Sequence, residues 1–323
     1  MVFGGFIARI ERIKAYSRMN KISLGYWFKL LPLVFVFSNC GGDSDPNVPT
    51  DTYDSGTIHI SVDESFKPVI DSQIQVYESS YPKTKIIADY KPEAECLKDL
   101  RVDSVRMIIA TRGYTPAEKA FLNDSVHVDA SKEVIARDAI AVVINPASND
   151  TTMTMADITA ILTGVNKKYT PVMDGTSATS TVRFIIDSVL KGGKLSPSTV
   201  GAKSSNGVID YVAKSPNAIG FLGVSWIGNP EDSTQLSYLS KVKVVQIETP
   251  DKSKYVTPAQ YNIYFRKYPM IRDLVYILKE KNTGLGHGFA NFLRGQRGQL
   301  IFKRAYLMPV MQPNQIRNAA IRE

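Results

Sequence analysis

The chain has 323 residues, 44% of them hydrophobic and 22% charged, with a formal net charge of +8. That is an ordinary globular composition, long enough for two domains or one large bilobed one, and it excludes disordered, collagen-like and coiled-coil chains. Arg9, Arg12, Lys14, Arg18, Lys21 and Lys29 stand against Glu11 alone in the first 40 residues, so the remainder holds 33 bases against 30 acids, a net +3. So small a bias does not point to a nucleic-acid surface.

Residues 30–37 read Leu-Leu-Pro-Leu-Val-Phe-Val-Phe, too short a run to span a bilayer, which takes about 20 residues. It reads as the apolar core of a signal peptide. Met19-Asn20-Lys21 places a short basic segment before it, so Met19 is the expected start and 1–39 the expected leader. Ser38-Asn39-Cys40-Gly41-Gly42 resembles a bacterial lipobox, with Phe37 and Asn39 departing from the usual residues. The resemblance implies cleavage before Cys40 and lipidation of its thiol. Residues 40–55, rich in Gly, Asp, Ser and Pro, then serve as a tether. Cys96 is the only other cysteine, so no disulfide is expected and Cys96 is read as buried. His59, His127 and His287 lack ligand spacing, and no metal or other cofactor is expected.

From Thr57 the chain alternates strand and helix patterns, as an α/β protein does. Ile58, Ile60 and Val62 mark a strand, and Phe66, Val69, Ile70, Ile74 and Tyr77 mark a helix face. A strand over 84–90, a short helix over 94–100 and an apolar strand over 107–110 follow. Thr115-Pro116-Ala117-Glu118 is a capping box with Pro at the first helical position. Ile140 to Ile144 is an apolar strand, and 154–163 a helix stopped by Gly164. Val182, Ile185, Ile186 and Val189 give a further helix face. A helix over 206–213, strands over 218–224, 241–247 and 274–278, and a helical stretch over 289–306 complete the chain. Gly284-Leu285-Gly286-His287-Gly288 lacks dinucleotide-loop spacing and reads as a turn opening that stretch. Between Arg266 and Glu323 there are eleven bases and three acids, read as a basic outer face that either is simply solvated or docks a partner.

The chemistry sits where strands end in hydroxyl-bearing turns that open helices, since free N–H groups and the positive dipole end there suit an oxyanion without a metal. Asp63-Glu64-Ser65-Phe66 is one such turn. Thr176-Ser177-Ala178-Thr179-Ser180-Thr181-Val182-Arg183 is the other; plain capping accounts for one hydroxyl but less well for several. Arg112, after the buried strand, lies where strand ends line a ligand crevice, or else is a surface residue of a turn. Glu93 and Glu95 either accept a proton from a protonated oxyanion or face solvent at a helix start. No Gly-x-Ser-x-Gly elbow or Ser/His/Asp set points to an enzyme.

In order, Asp63-Glu64-Ser65-Phe66-Lys67-Pro68, Ala110-Thr111-Arg112, the run Arg137 to Asn145, Thr154-x-x-Asp157-Ile158-x-x-Ile161-Leu162-x-Gly164, Asn217-Ala218-Ile219-Gly220-Phe221 and Phe289-x-x-Phe292-Leu293 with Gly298-Gln299 resemble the phosphate substrate-binding proteins of ABC transporters. The resemblance implies a bilobed type II periplasmic-binding-protein-like α/β fold. Residues 56–144 plus 247–323 would form the first lobe and 145–246 the second, with crossings near Val143–Pro146 and Val245–Thr249. Ser65 and Phe66 match the hydroxyl-aromatic pair of the family. Thr179, Ser180 and Thr181 stand where the family has Ser-Gly-Thr, so Ser180 replaces a glycine. Arg112 stands where well-known members have an acceptor Asp, and their Arg before the hydroxyl turn is missing. On this reading Arg112 and Arg183 supply the positive charge and Glu93 the acceptor.

The expected function is an extracytoplasmic, lipid-anchored, monomeric lipoprotein that captures phosphate or a similar tetrahedral oxyanion between its lobes. It would deliver the anion to an ABC permease at the membrane, without catalysis and without nucleic acid. The alternative is a binding-protein-like envelope interaction or sensory module without anion transport.

Overall fold

A computed structural model describes residues 51–229, 231–281 and 283–311. The expected leader 1–39, Met19 and the lipobox with Cys40 lie outside the described residues. No helix among the described residues is long and apolar enough to cross a membrane.

The elements run β1 (Ser55–Asp63), α1 (Lys67–Ser80), β2 (Lys83–Lys91), α2 (Glu93–Lys98), β3 (Val105–Ala110), α3 (Pro116–Phe121) and the long β4 (Ser131–Ile144). There follow β5 (Thr152–Met153), α4 (Met155–Thr163), β6 (Thr170–Met173), α5 (Ser180–Phe184, prolonged by a π turn over Ile185–Val189), β7 (Val200–Gly201), α6 (Ser205–Lys214) and β8 (Ala218–Gly223). The chain ends with α7 (Ser233–Lys241), β9 (Lys243–Val244), β10 (Gln246–Glu248), β11 (Tyr255–Val256), α8 (Gln260–Tyr264), β12 (Ile271–Leu278), α9 (Leu285–Arg294), α10 (Gln296–Arg304) and β13 (Met308–Pro309). One curled sheet of ten strands has the order β2-β1-β3-β12-β4-β8-β6-β7, with β9 and β13 also on β4, and β11-β10-β5 form a small second sheet.

The architecture is bilobed α/β, and β4 belongs to both lobes. Its first part pairs antiparallel with β12 as far as Ala139, and from Ile140 it pairs antiparallel with β8. The first lobe packs Ile58, Ile60 and Val62 of β1 against Phe66, Val69, Ile70 and Tyr77, with Phe289, Leu293 and Phe302 closing the cluster. In the second lobe, α4 and α5 cover one face of the sheet through Ile158, Ile161, Val182 and Ile185, while Val208, Ile209 and Val212 of α6 cover the other. Ile247, Val256, Ile263, Tyr268 and Met270 pack in the second-lobe cluster. The apolar side chains of 247–270, which follow the return crossing expected near Val245–Thr249, thus pack in the second-lobe cluster, while Gln260 donates to the Lys303 and Leu307 carbonyls.

Local chemistry explains the element limits. Thr115 and Thr154 each close a reciprocal capping box, with Glu118 and Asp157 respectively. The αL residue Gly164, φ 78°, ends α4. Two elements run beyond or outside the sequence reading. Residues 131–139 extend β4 although they read Ser-Lys-Glu-Val-Ile-Ala-Arg-Asp-Ala, since β12 and β13 pair this charged segment and Glu133 and Arg137 reach Arg294 and Asp273. α7 packs Tyr238 and Leu239 against the second-lobe cluster; Asp232 caps it by accepting from the Thr234 and Gln235 N–H groups, and Gln235 is its buried residue.

Gly220 is the tightest point between α6 and β4. A Cβ there would lie 2.8 Å from Val143 Cγ2, 2.8 Å from Val208 Cγ1 and 2.9 Å from Val212 Cγ2. Gly220→Ala therefore overpacks stiff β-branched neighbours and is expected to cost about 1–3 kcal/mol, read as a lower midpoint in denaturant unfolding with an unchanged slope.

Candidate functional site

The seam between the lobes is built from the ends of β1 and β6, the start of α5 and the facing strands β4 and β12. Asp63, the last residue of β1, accepts a hydrogen bond from the Ser65 N–H at 3.1 Å and so caps the short turn Glu64–Phe66. That turn buries Ser65 completely and aims its hydroxyl across the seam. Ser65 Oγ donates to Asp174 Oδ2 at 3.2 Å and lies 3.3 Å from Ser180 Oγ. The Ser65 carbonyl accepts from Ser225 Oγ at 3.1 Å and from the Trp226 indole N–H at 2.8 Å. Thr179 is the N-cap of α5, accepting from the Val182 N–H, which leaves the Ser180 and Thr181 hydroxyls free for the seam.

Arg272 is the cation of this centre. It sits on β12 directly opposite Asp138 of β4 in the strand register, and both side chains are almost wholly buried. Its Nε donates to Asp138 Oδ2 at 2.8 Å, and its Nη1 to Ser180 Oγ at 2.9 Å and Thr181 Oγ1 at 3.5 Å. The guanidinium lies over the Phe66 ring, 5.0 Å from the centroid. Gly223 leaves room for this pair: a Cβ there would stand 3.1 Å from Arg272 Nη2 and 3.2 Å from Asp138 Oδ2. Asp174, just after β6, accepts from Ser65 and, at 3.0 Å, from Thr181 Oγ1.

One guanidinium thus faces three buried carboxylates, Asp63, Asp138 and Asp174. Each keeps one oxygen without a protein partner (Asp63 Oδ2, Asp138 Oδ1, Asp174 Oδ1), as Arg272 keeps Nη2. Burial pushes Asp63 up to about 7, with Arg272 opposing and Glu93 and Asp174 adding to the rise. Burial likewise raises Asp138 against the pull of Arg272. Glu64, whose carboxylate accepts from the Ser205 N–H and hydroxyl across the seam, is raised to about 7 by burial and by Asp174.

A second polar group crosses the seam beside the first. Glu93 Oε1 accepts from the Thr111 N–H at 2.8 Å and the Thr111 hydroxyl at 2.6 Å, and its Oε2 from Arg183 Nε at 2.5 Å. Arg183 Nη2 also donates to Thr111 Oγ1 at 2.7 Å, and the Ala94 N–H to the Ala178 carbonyl at 3.0 Å. Burial works against the Glu93 charge, but Arg183 and Thr111 hold its carboxyl below the usual range. Outside this pair a cavity of about 750 Å³ opens between α2, α3 and the turn before α5, with Lys98, Arg101 and Arg112 on its rim.

The sequence-expected residues therefore divide. Ser65, Phe66, Ser180 and Thr181 meet at the seam, and Thr179 supports them as a cap. Glu93 and Arg183 meet each other. Arg112 is turned away, forked onto Glu118 at 2.8 and 2.9 Å and onto the Gly113 carbonyl, so its charge is spent within the α3 capping turn. The cation that replaces it, Arg272, lies within the segment read as a basic outer face. That reading fails for Lys279 too, whose buried ammonium donates to the Asp99, Leu100 and Val102 carbonyls. The signal for Arg272 is alternation, since it shares the inward face of β12 with Leu274 while Asp273 faces out. Asp138 and Asp174 carry no comparable mark, for each is a polar residue beside an apolar strand segment.

Residues 47–296 match the family model of the PBP superfamily domain, and the chain belongs to that family. Comparison with curated protein sequences gives no match. Among solved structures the chain is similar to a protein from Clostridium perfringens assigned as a phosphate ABC transporter substrate-binding protein and holding bound phosphate. The TM-score is 0.66 at 20% identity, over 79% of this chain and 100% of that one. It is also similar to an ABC-type phosphate transport receptor from Vibrio cholerae, TM-score 0.58 at 16% identity over 78% and 99% of the two chains. A possible phosphate binding protein from Planctomyces limnophilus gives a TM-score of 0.54 at 20% identity, over 80% and 94%. At these identities the likeness is one of fold.

The raised acids give the site a pH signature. A carboxyl held up to about 7 in the folded protein, against an ordinary value of 3.8 for Asp63, binds its proton more tightly folded than unfolded. Its contribution to stability is complete below about 4 and is lost as pH rises through about 7. Asp63→Asn keeps an acceptor for the Ser65 N–H and removes this titration. The variant is expected to gain stability relative to the parent as pH rises from 4 to 8, read from paired denaturant curves.

Proposed function

We propose that the chain is an extracytoplasmic solute-binding lipoprotein, anchored through Cys40, that captures phosphate or a similar tetrahedral oxyanion between its lobes and delivers it to an ABC permease. The observation that carries this reading is the convergence of the Ser180 and Thr181 hydroxyls on Arg272, a buried guanidinium whose Nη2 has no protein partner, with the Ser65 hydroxyl 3.3 Å from Ser180 Oγ. Hydroxyls and a forked cation from both lobes are what a small oxyanion needs, and neither a metal nor catalysis enters. The names of the Clostridium, Vibrio and Planctomyces proteins support the same ligand class. The expected acceptor is supplied by the carboxylates around Arg272 rather than by Glu93 alone. They favour an anion that still carries a proton, because a buried carboxylate repels one that has none to donate.

A second reading, a binding-protein-like envelope or sensory module without anion transport, is favoured by one observation: Asp174 already occupies the Ser65 and Thr181 hydroxyls.

Calorimetric titration of the full chain with phosphate and with sulfate separates the two readings. The proposal expects phosphate to bind in preference to sulfate. Arg272→Ala, which removes the cation and its unpartnered Nη2, should abolish phosphate binding. No heat from either anion on folded protein would overturn it in favour of the second reading.

A further inference from the structure

Almost every donor at the seam that could serve a solute is engaged by the protein itself. Asp174, from the second lobe, accepts with one oxygen, Oδ2, from Ser65 of the first lobe and Thr181 of the second. Its other oxygen is buried and unpartnered, and it shares the pull of Arg272 with Asp138 and Asp63. Glu93, from the first lobe, does the same in reverse, accepting from Arg183 of the second lobe and from Thr111. A carboxylate is planar and singly charged, and it presents to two hydroxyls the acceptor oxygen that an oxyanion would present. Ser65 and Thr181 are buried, so their hydroxyls would cost free energy if left unpaired. Asp174 removes that cost.

Resting on the oxyanion reading given above, we infer that Asp174 is an intramolecular stand-in for the solute: it holds the lobes together without ligand, and an oxyanion binds by displacing it from Ser65 and Thr181. Binding is then an exchange of one acceptor for another, with no bond made or broken. Exchange of the carboxylate for a monoanion leaves the charge on the hydroxyls unchanged, whereas a dianion adds a negative charge beside Asp63 and Asp138. The apparent affinity falls by the fraction of molecules in which Asp174 has left the donors. Asp174 thereby sets the concentration at which the protein responds.

The test reads lobe closure and binding separately in the full chain. Small-angle scattering gives the change in radius of gyration on adding saturating phosphate, and calorimetry gives the phosphate affinity, for the parent, Asp174→Ala and Asp174→Asn, each first shown to unfold cooperatively. The inference expects a parent whose radius does not change with phosphate. It expects an Asp174→Ala chain that is expanded without phosphate, contracts with it and binds it at least about tenfold more tightly, with Asp174→Asn in between. A parent that is expanded when free of phosphate, or an Asp174→Ala chain that stays compact or binds phosphate no more tightly, overturns the inference. If phosphate binds to neither chain but Asp174→Ala still expands, the internal contact stands and the oxyanion reading falls. If phosphate binds the parent and Asp174→Ala remains compact, the oxyanion reading stands and this inference falls.

Discussion

The seam depends on one cross-strand pair, Arg272 opposite Asp138. Placed in register on β12 and β4, the two side chains meet at 2.8 Å in the strand segment where β4 passes from one lobe to the other. Such a pair adds little net stability, because taking two charges out of water offsets their attraction, but breaking it leaves an uncompensated buried charge at a cost of about 3–5 kcal/mol. The value of the pair is positional. It fixes a guanidinium beside the α5 start, where Ser180 and Thr181 accept from it, and Gly223 supplies the space it needs.

From this point the rest of the seam follows. The first lobe offers Ser65 on a turn capped by Asp63, and the second lobe answers with Asp174, Ser225 and Trp226. Glu93 and Arg183 repeat the arrangement toward the cavity. Polar networks of this kind, buried and shared between two packing units, define one relative placement of the lobes, since a slip would strand several donors at once. They also explain why so many carboxylates collect around a single cation: each is matched by hydroxyls or backbone N–H groups, and Asp63 has its charged form disfavoured by burial.

The elements carrying a local signature are legible in the sequence. α1 shows its buried stripe, α3 and α4 their capping boxes, and β3 its unbroken apolar run. What stays hidden depends on partners distant in sequence. The first part of β4 reads as charged because β12, β13 and the ion pairs of Glu133 and Arg137 accommodate it, and α7 is capped but offers only Tyr238 and Leu239 to the core. The site divides in the same way. Ser65, Ser180 and Thr181 announce themselves as hydroxyls at turns that open helices, whereas Arg112 and Arg272 cannot be ranked without knowing which strand faces which. Arg112 has a local partner in Glu118 three residues into its capping box, and that partner removes it from the seam. Arg272 finds its carboxylate in a strand neighbour 134 residues away.

The most direct measurement is a crystal structure of the full chain grown with phosphate, compared with one grown without it. The account predicts phosphate on the Ser65, Ser180 and Thr181 hydroxyls and Arg272 Nη2, with the Asp174 carboxylate rotated off Ser65 and Thr181, and Asp174 back on those hydroxyls in the phosphate-free crystal. Phosphate bound elsewhere with Asp174 undisturbed, or a seam that takes up no phosphate at saturating concentration, would contradict it.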